Sequence, residues 1–320
     1  RHSRLWFNNG SPKDRWRLCG LFPGYSPAGR LIRWGWRACA FGGCFPSRLV
    51  TAKHPYWSGV GGLTLAHVRD VAVLQSLGGS YDKWVLQLWG PAGEIIAYGK
   101  LGDSPRARAM IGRERAVLMN VPAGLSPKVL DLAEAHGCAL LLMTPLPGRA
   151  PSTELPMDAA SWRLMRRMQR PDAGVFEIVS HPWWRTRLRN HVTVNGWAHV
   201  LAKRHWPVWI NHGDFAPWNV CVEGGEWSLL DWEFADAEGF PFLGSVYYVL
   251  QVACLVKKWT PDRARMRARE WIESNPLLPI SADEADVIVR VCAWDAQRRD
   301  RNLGEPDDGA LQQWREQVWR

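Results

Sequence analysis

Residues 208–233 constrain the fold of this 320-residue chain more than any other stretch. Val208-Trp209-Ile210 is an apolar run of strand length, and the eight residues from His212 to Asn219 form the loop at its mouth. Val220-Cys221-Val222 and Trp227-Ser228-Leu229-Leu230 are two further apolar runs. Between them, Glu223-Gly224-Gly225-Glu226 is hairpin turn chemistry. A hairpin folds back on itself, so Asn219 and Asp231, one at each outer end, arrive at the same edge.

That edge carries an amide oxygen beside a carboxylate, the hard oxygen donors that magnesium takes when phosphate and water complete its shell. Asp214 lies five positions before Asn219, the spacing of a phosphoryl-transfer loop in which an aspartate accepts a hydroxyl proton and an asparagine binds metal. Either residue alone is as well explained by turn capping and backbone hydrogen bonding. The loop His212-Gly213-Asp214-Phe215-Ala216-Pro217-Trp218-Asn219 and the run Leu229-Leu230-Asp231-Trp232-Glu233 together resemble the aminoglycoside phosphotransferase and choline kinase family, which is protein-kinase-like and whose loop reads His-Gly-Asp. The resemblance implies Asp214 as catalytic base, with His212 in the same catalytic motif. It further implies Asn219 and Asp231 as metal ligands, and Glu233 as a second acid near the metal or acceptor.

Upstream, Val71-Ala72-Val73-Leu74-Gln75-Ser76, residues 84–89 and residues 94–101 read as three strands joined by short turns. The first turn holds Gly78, Gly79 and Ser80, where backbone amides would cover nucleotide phosphates, although paired glycines also mark ordinary hairpins. Lys100 closes the third strand where the family's nucleotide lysine falls, and is the only lysine between Lys83 and Lys128. A helix follows over residues 104–120, with Ser104 as N-cap and Pro105 at the first helical position. Its apolar face is Ala107, Met110, Ile111, Val117, Leu118 and Val121, and Glu114 lies on that face. A carboxylate buried there without a cation costs several kcal/mol, so Glu114 is expected to pair with Lys100. The alternative is a boundary glutamate reaching sideways to Arg113 or Arg115.

An apolar fraction of 47% with 21 tryptophans excludes a disordered chain. No apolar run reaches transmembrane length, and no secretory signal is visible. Seven cysteines form no metal-binding pattern and read as reduced thiols, which favours a cytoplasmic location. The net charge of +9 concentrates at Arg163, Arg166, Arg167, Arg170, Arg185, Arg187, Arg189, Lys203 and Arg204. That stretch would attract an anionic acceptor and repel a polycationic one, with His181-Pro182-Trp183-Trp184 offering aromatic surface to a sugar. The competing reading is a solvated basic face over core tryptophans. Nucleic acid is not expected as a partner, since no binding module accompanies the charge.

The expected fold is α+β and protein-kinase-like, with an antiparallel sheet N-lobe and a mainly helical C-lobe. Residues 1–62, rich in Gly, Pro, Trp and Arg, are expected to be an irregular extension. Residues 63–145 form the nucleotide-binding N-lobe, ending in the strand 138–143, and Thr144-Pro145-Leu146-Pro147-Gly148 forms the hinge. Residues 146–320 form the catalytic and acceptor-binding C-lobe. Residues 242–258 are expected to be its core helix, and 263–273, 282–297 and 310–319 amphipathic surface helices. One departure from the family is Gly244, where relatives carry an aspartate that supports the catalytic loop; Asp236 could substitute, or the support is absent. The function implied is transfer of the γ-phosphoryl of ATP or GTP, with Mg2+, to a hydroxyl of a small metabolite or glycan. Two alternatives stay open, an antibiotic-modifying aminoglycoside phosphotransferase and a nucleotide-binding pseudokinase.

Overall fold

The structure, a computed structural model, describes residues 3–7, 11–21, 27–41, 67–76, 83–135, 137–151, 159–188, 195–304, 306 and 308–320. The chain divides into two compact units, Arg1–Met119 with Pro127–Pro145, and Asn120–Ser126 with Leu146–Arg320.

The first unit is built on an antiparallel sheet. Its strands are β1 (Ser3–Phe7), β2 (Asp70–Ser76), β3 (Lys83–Trp89), β4 (Ile95–Gly102), β5 (Val129–Ala135) and β6 (Cys138–Met143), in the order β1-β2-β3-β4-β6-β5. Alternation along β2 sends Val71 and Val73 to a cluster with Leu86, Leu88, Ala97, Leu140 and Leu142. Ala72 and Leu74 point the other way, into a cluster with Leu18 and Cys19. Residues of that second cluster come from the segment expected to be irregular, which instead holds β1 and two helices, α1 (Pro12–Leu18) and α2 (Pro27–Phe41). The reason the pattern hides them is physical. Arg30, Arg33 and Arg37 of α2 recur at helical spacing, but they stand among Gly, Pro and Trp residues that obscure the period; Leu31, Ile32 and Trp34 are exposed while Trp36 packs inward. Residues 42–66 lie outside the described residues.

Helix α3 (Pro105–Leu118) is capped as its sequence requires, with Ser104 Oγ accepting from the Ala107 N–H at 3.1 Å and proline in the first turn. Its buried residues Ala107, Ile111, Glu114 and Leu118 form one stripe. A Cβ on Gly102 would lie 2.8 Å from that of Ala107, so glycine at the end of β4 is what lets α3 lie this close to the strand.

The second unit is mainly helical. It contains α4 (Ala159–Arg167), β7 (Val175–Glu177), α5 (Pro182–Arg187), α6 (Asn195–Leu201), β8 (His205–Pro207), β9 (Trp209–Asn211), the hairpin β10 (Val220–Glu223) and β11 (Glu226–Leu229), and β12 (Asp236–Gly239). Helices α7 (Leu243–Gln251), α8 (Pro261–Glu273), α9 (Ala282–Asn302) and α10 (Ala310–Trp319) follow. The chain enters this unit through Gly148 and Arg149, and Arg149 makes an isolated antiparallel bridge to Val222 of β10. The segment Asn120–Ser126 joins it because the Leu229 N–H donates to Leu125 O at 2.7 Å.

Helix α7 is buried along nearly its whole length and continues as one π-helical turn, Val252–Val256. Expected as a surface helix, α9 is a core helix: Val287, Ile288, Val291, Cys292 and Trp294 are all buried, and α6, α7, α8 and α10 pack around it. Its ends are charged and its middle is apolar, a distribution that averages to an amphipathic signal although the helix is surrounded. No helix among the described residues is long and apolar enough to cross a membrane.

Candidate active site

In the sheet unit, Lys100 sits in β4 between Val85 of β3 and Leu141 of β6. Its Nζ donates to both carboxylate oxygens of Glu114 at 2.7 Å, and both side chains are buried. The glutamate therefore turns to the strand rather than sideways along its own helix. This resolves the alternative between Lys100 and the neighbouring arginines in favour of Lys100. Gly78, Gly79 and Ser80 lie outside the described residues.

In the helical unit, β9 ends at Asn211 and the loop opens. His212 is fully buried, with Nε2 donating to Leu230 O at 2.8 Å and Nδ1 accepting from the Asp214 N–H at 3.3 Å. Its ring also stands edge-on to Trp232, 4.7 Å between centroids. Both ring nitrogens are thus engaged within the protein, so this geometry fits a residue that shapes the loop, not one that exchanges protons with a substrate. Gly213 has φ +78°, and a Cβ there would lie 2.2 Å from Phe234 O. Only glycine allows the 212–219 loop to pass this close to the 231–235 segment.

The side chain of Asn219 spans the loop. Its Nδ2 donates to Asp214 O at 2.8 Å and to Asp214 Oδ2 at 2.9 Å. With the amide nitrogen so occupied, Oδ1 is the atom left to serve as a ligand. The hairpin pairs Val220 with Leu229, and the Leu230 N–H donates to Asn219 O at 2.8 Å, so the chain delivers Asp231 next to Asn219. Asp231 takes the left-handed conformation, φ 65°, uncommon for a non-glycine residue. One carboxylate oxygen of Asp231 lies within 4.8 Å of one from Glu233, which is buried. An amide oxygen and two carboxylates make a donor set suited to a hard divalent cation.

Burial pushes the Asp214 carboxyl above the ordinary carboxylate range, opposed by the nearby Arg299 charge and reinforced by that of Asp231. Tyr247 of α7 and Arg299 of α9 lie beneath the loop, and burial together with the Asp214 charge raises the Tyr247 phenol. Neither residue was singled out from sequence. Tyr247 carries a weak signal, as a hydroxyl inside an apolar helix, whereas Arg299 is one of a run of charged residues and carries none.

Several expectations about the acceptor region change. Trp183 and Trp184 are buried, 1% and 4% exposed, and pack on Phe240 with centroid separations of 6.0 and 6.3 Å. They are core residues and offer no surface to a sugar. Pro182 starts α5 and turns the following tryptophans inward. The basic stretch is largely engaged within the unit. Arg163 donates to Glu226 and Gly225 O, Arg170 pairs with Asp172, and Arg187 lies 3.5 Å from Asp236. Arg204 stacks over Trp206, and Arg189 lies outside the described residues. Asp236 is the strand partner of Asn211, and its carboxylate lies 3.5 Å from Arg187 and accepts from the Glu238 N–H. That position beside Gly244 is filled otherwise: Asn211 Oδ1 accepts from the Gly213 N–H at 3.2 Å, and Arg299 donates to Gly213 O.

No family model matches the chain, and no curated protein matches it. Its structure is similar to solved phosphotransferases. A thermostable mutant of an aminoglycoside phosphotransferase, in apo form, has TM-score 0.48 at 16% identity, covering 78% of this chain and 94% of that one. A type I macrolide 2'-phosphotransferase has TM-score 0.45 at 12% identity, covering 78% and 91%. An ethanolamine kinase of Plasmodium vivax has TM-score 0.42 at 10% identity, covering 96% and 92%. Likeness at this level assigns no residue a role in this chain.

Proposed function

We propose that this chain is a phosphotransferase, moving the γ-phosphoryl group of a nucleoside triphosphate to a hydroxyl of a small molecule. The observation that carries the reading is the Asp214–Asn219 pair. One amide holds the carboxylate through its nitrogen while its oxygen stays available at the hairpin edge that delivers Asp231. A turn-capping role would satisfy the loop's backbone but would not need a second carboxylate at that edge, nor a left-handed aspartate to place it.

Asp214 is the group that accepts the acceptor hydroxyl's proton. Asn219 and Asp231, with Glu233 beside them, are the residues that would hold Mg2+. When bound, Mg2+ supplies positive charge to the phosphate oxygens. In the sheet unit, Lys100 is the cation for the nucleotide phosphates, and Glu114 keeps its ammonium oriented. The donor is ATP or GTP. The acceptor is a small hydroxyl compound such as a sugar or an amino alcohol, and the panel of acceptors decides whether it carries charge.

The test is phosphate transfer from ATP and GTP to a panel of sugars, amino alcohols and aminoglycosides, with and without Mg2+. Transfer to at least one acceptor is expected. Asp214→Asn should reduce it by about a hundredfold or more while nucleotide affinity stays near wild type. Nucleotide binding without transfer or hydrolysis would make the chain a pseudokinase, and absence of nucleotide binding would refute the reading altogether.

A further inference from the structure

The Gly213 peptide is the pivot of the candidate active site, because it lies between the loop carrying Asp214 and the segment carrying Asp231 and Phe234. Its N–H is bound by Asn211, two residues away. Its carbonyl is bound by a residue 86 positions later, Arg299 in the last third of α9. Resting on the phosphotransferase reading, we propose that Arg299 is a positioning residue that clamps the Asp214 loop onto the Asp231 segment from outside both.

The geometry is that of a planar fork used at several edges. One terminal nitrogen donates to Gly213 O, and the other donates to Tyr247 Oη at 2.9 Å. The guanidinium lies over two rings, those of Phe234 and Tyr247, each 5.1 Å from the centroid. Phe234 belongs to the segment whose own carbonyl abuts Gly213, so a single side chain touches both loops and α7. Tyr247 Oη also accepts from Gln251. Behind the guanidinium, Nε lies 3.3 Å from Asp300 Oδ1, and Arg315 of α10 pairs with Asp300 through the other oxygen. The fork is therefore held from the rear while it holds the loop at the front.

Lysine cannot reproduce this arrangement. It keeps the charge but presents one nitrogen on a flexible stem, which cannot serve Gly213 O and Tyr247 Oη while lying flat on two rings. Arg298, next in the chain, points elsewhere: it donates to Arg187 O and stacks on Trp294. It is the natural control.

The experiment compares wild type, Arg299→Lys, Arg299→Gln, Tyr247→Phe and Arg298→Lys by hydrogen exchange and by phosphate-transfer kinetics. Exchange is read on the ligand-free protein at the Gly213 and Asp214 amides, whose acceptors are Asn211 Oδ1 and His212 Nδ1. In Arg299→Lys both amides should exchange about tenfold faster or more, since a charge-assisted hydrogen bond anchoring the peptide is lost. kcat should fall about a hundredfold, as expected for a displacement of about 1 Å at the reacting groups, with the nucleotide KM unchanged. Arg298→Lys should match wild type in both. If both Arg299 variants fail to fold, Tyr247→Phe decides, because it removes one fork contact at nearly constant volume and should still speed exchange at Asp214 and lower kcat. Wild-type exchange at both amides, or wild-type kcat, in a folded Arg299→Lys protein would overturn the proposal. Should wild type transfer phosphate to no acceptor, the phosphotransferase reading fails, and the exchange measurement alone still decides whether Arg299 clamps the loop.

Discussion

Gly213→Ala isolates the contact on which the candidate site turns. A Cβ at residue 213 would lie 2.2 Å from Phe234 O, 2.7 Å from its carbonyl carbon and 2.8 Å from its Cβ. Ordinary contact begins near 3.4 Å, so the two segments must separate by about 1 Å, which is 3.4 minus 2.2 Å. No rotamer change relieves this, because the nearest two atoms are backbone. The φ of +78° adds the strain of a left-handed alanine, about 1–2 kcal/mol. Together with the forced displacement, which costs about 1–3 kcal/mol as overpacking does, the variant should lose about 2–5 kcal/mol of stability. Displacement on this scale at a catalytic centre costs about a hundredfold in rate. The assay is transfer to a confirmed acceptor below the unfolding temperature, with thermal denaturation run in parallel. A folded Gly213→Ala protein with wild-type kcat would show that the 212–219 and 231–235 segments need not be held together at Gly213 for transfer.

Glu114→Gln removes the buried charge facing Lys100 and should destabilise the protein by about 3–5 kcal/mol, with weakened nucleotide binding; calorimetry showing no change would refute the importance of the pair. Asn219→Ala and Asp231→Ala should each raise the Mg2+ concentration needed for nucleotide binding, measured by titration at fixed nucleotide, and unchanged curves in both would remove them from the metal site. Trp183→Ala should cost about 3–5 kcal/mol as a core truncation, while Trp183→Phe should leave the acceptor KM near wild type; a large KM rise in the phenylalanine variant would return this tryptophan to the acceptor site. His181 is buried and its pKa is lowered from 6.5 by desolvation, so the native state binds fewer protons than the unfolded one below that value. Stability should therefore be complete above about pH 6.5 on its account and decline as pH falls; His181→Phe should flatten that decline in denaturation curves taken across pH 4–7.

The elements that sequence alone determined are those encoded by near neighbours. Apolar runs of strand length between short Gly- and Pro-containing turns mark β2 through β4, and Ser104-Pro105 sets the start of α3 to the residue. The double-glycine turn folds 220–229 into a hairpin, and that hairpin brings Asn219 and Asp231 together because its strands are adjacent and short. Glu114 and Lys100 were legible as a pair because burying a lone acid on an apolar helix face is costly and only one nearby lysine could meet it. Other features carried no local signal. An exposed aromatic and a core aromatic look alike in sequence, so the inward turn of Trp183 and Trp184 depended on where Phe240 and Trp206 lay. The burial of α9 depended on four other helices packing around it, and charged ends disguised its apolar middle. Arg299 is the clearest case, since nothing near it distinguishes it from Arg298 or Arg301. Its meeting with Gly213 is a long-range contact, and side-chain periodicity within one helix carries no information about which distant carbonyl will need a donor.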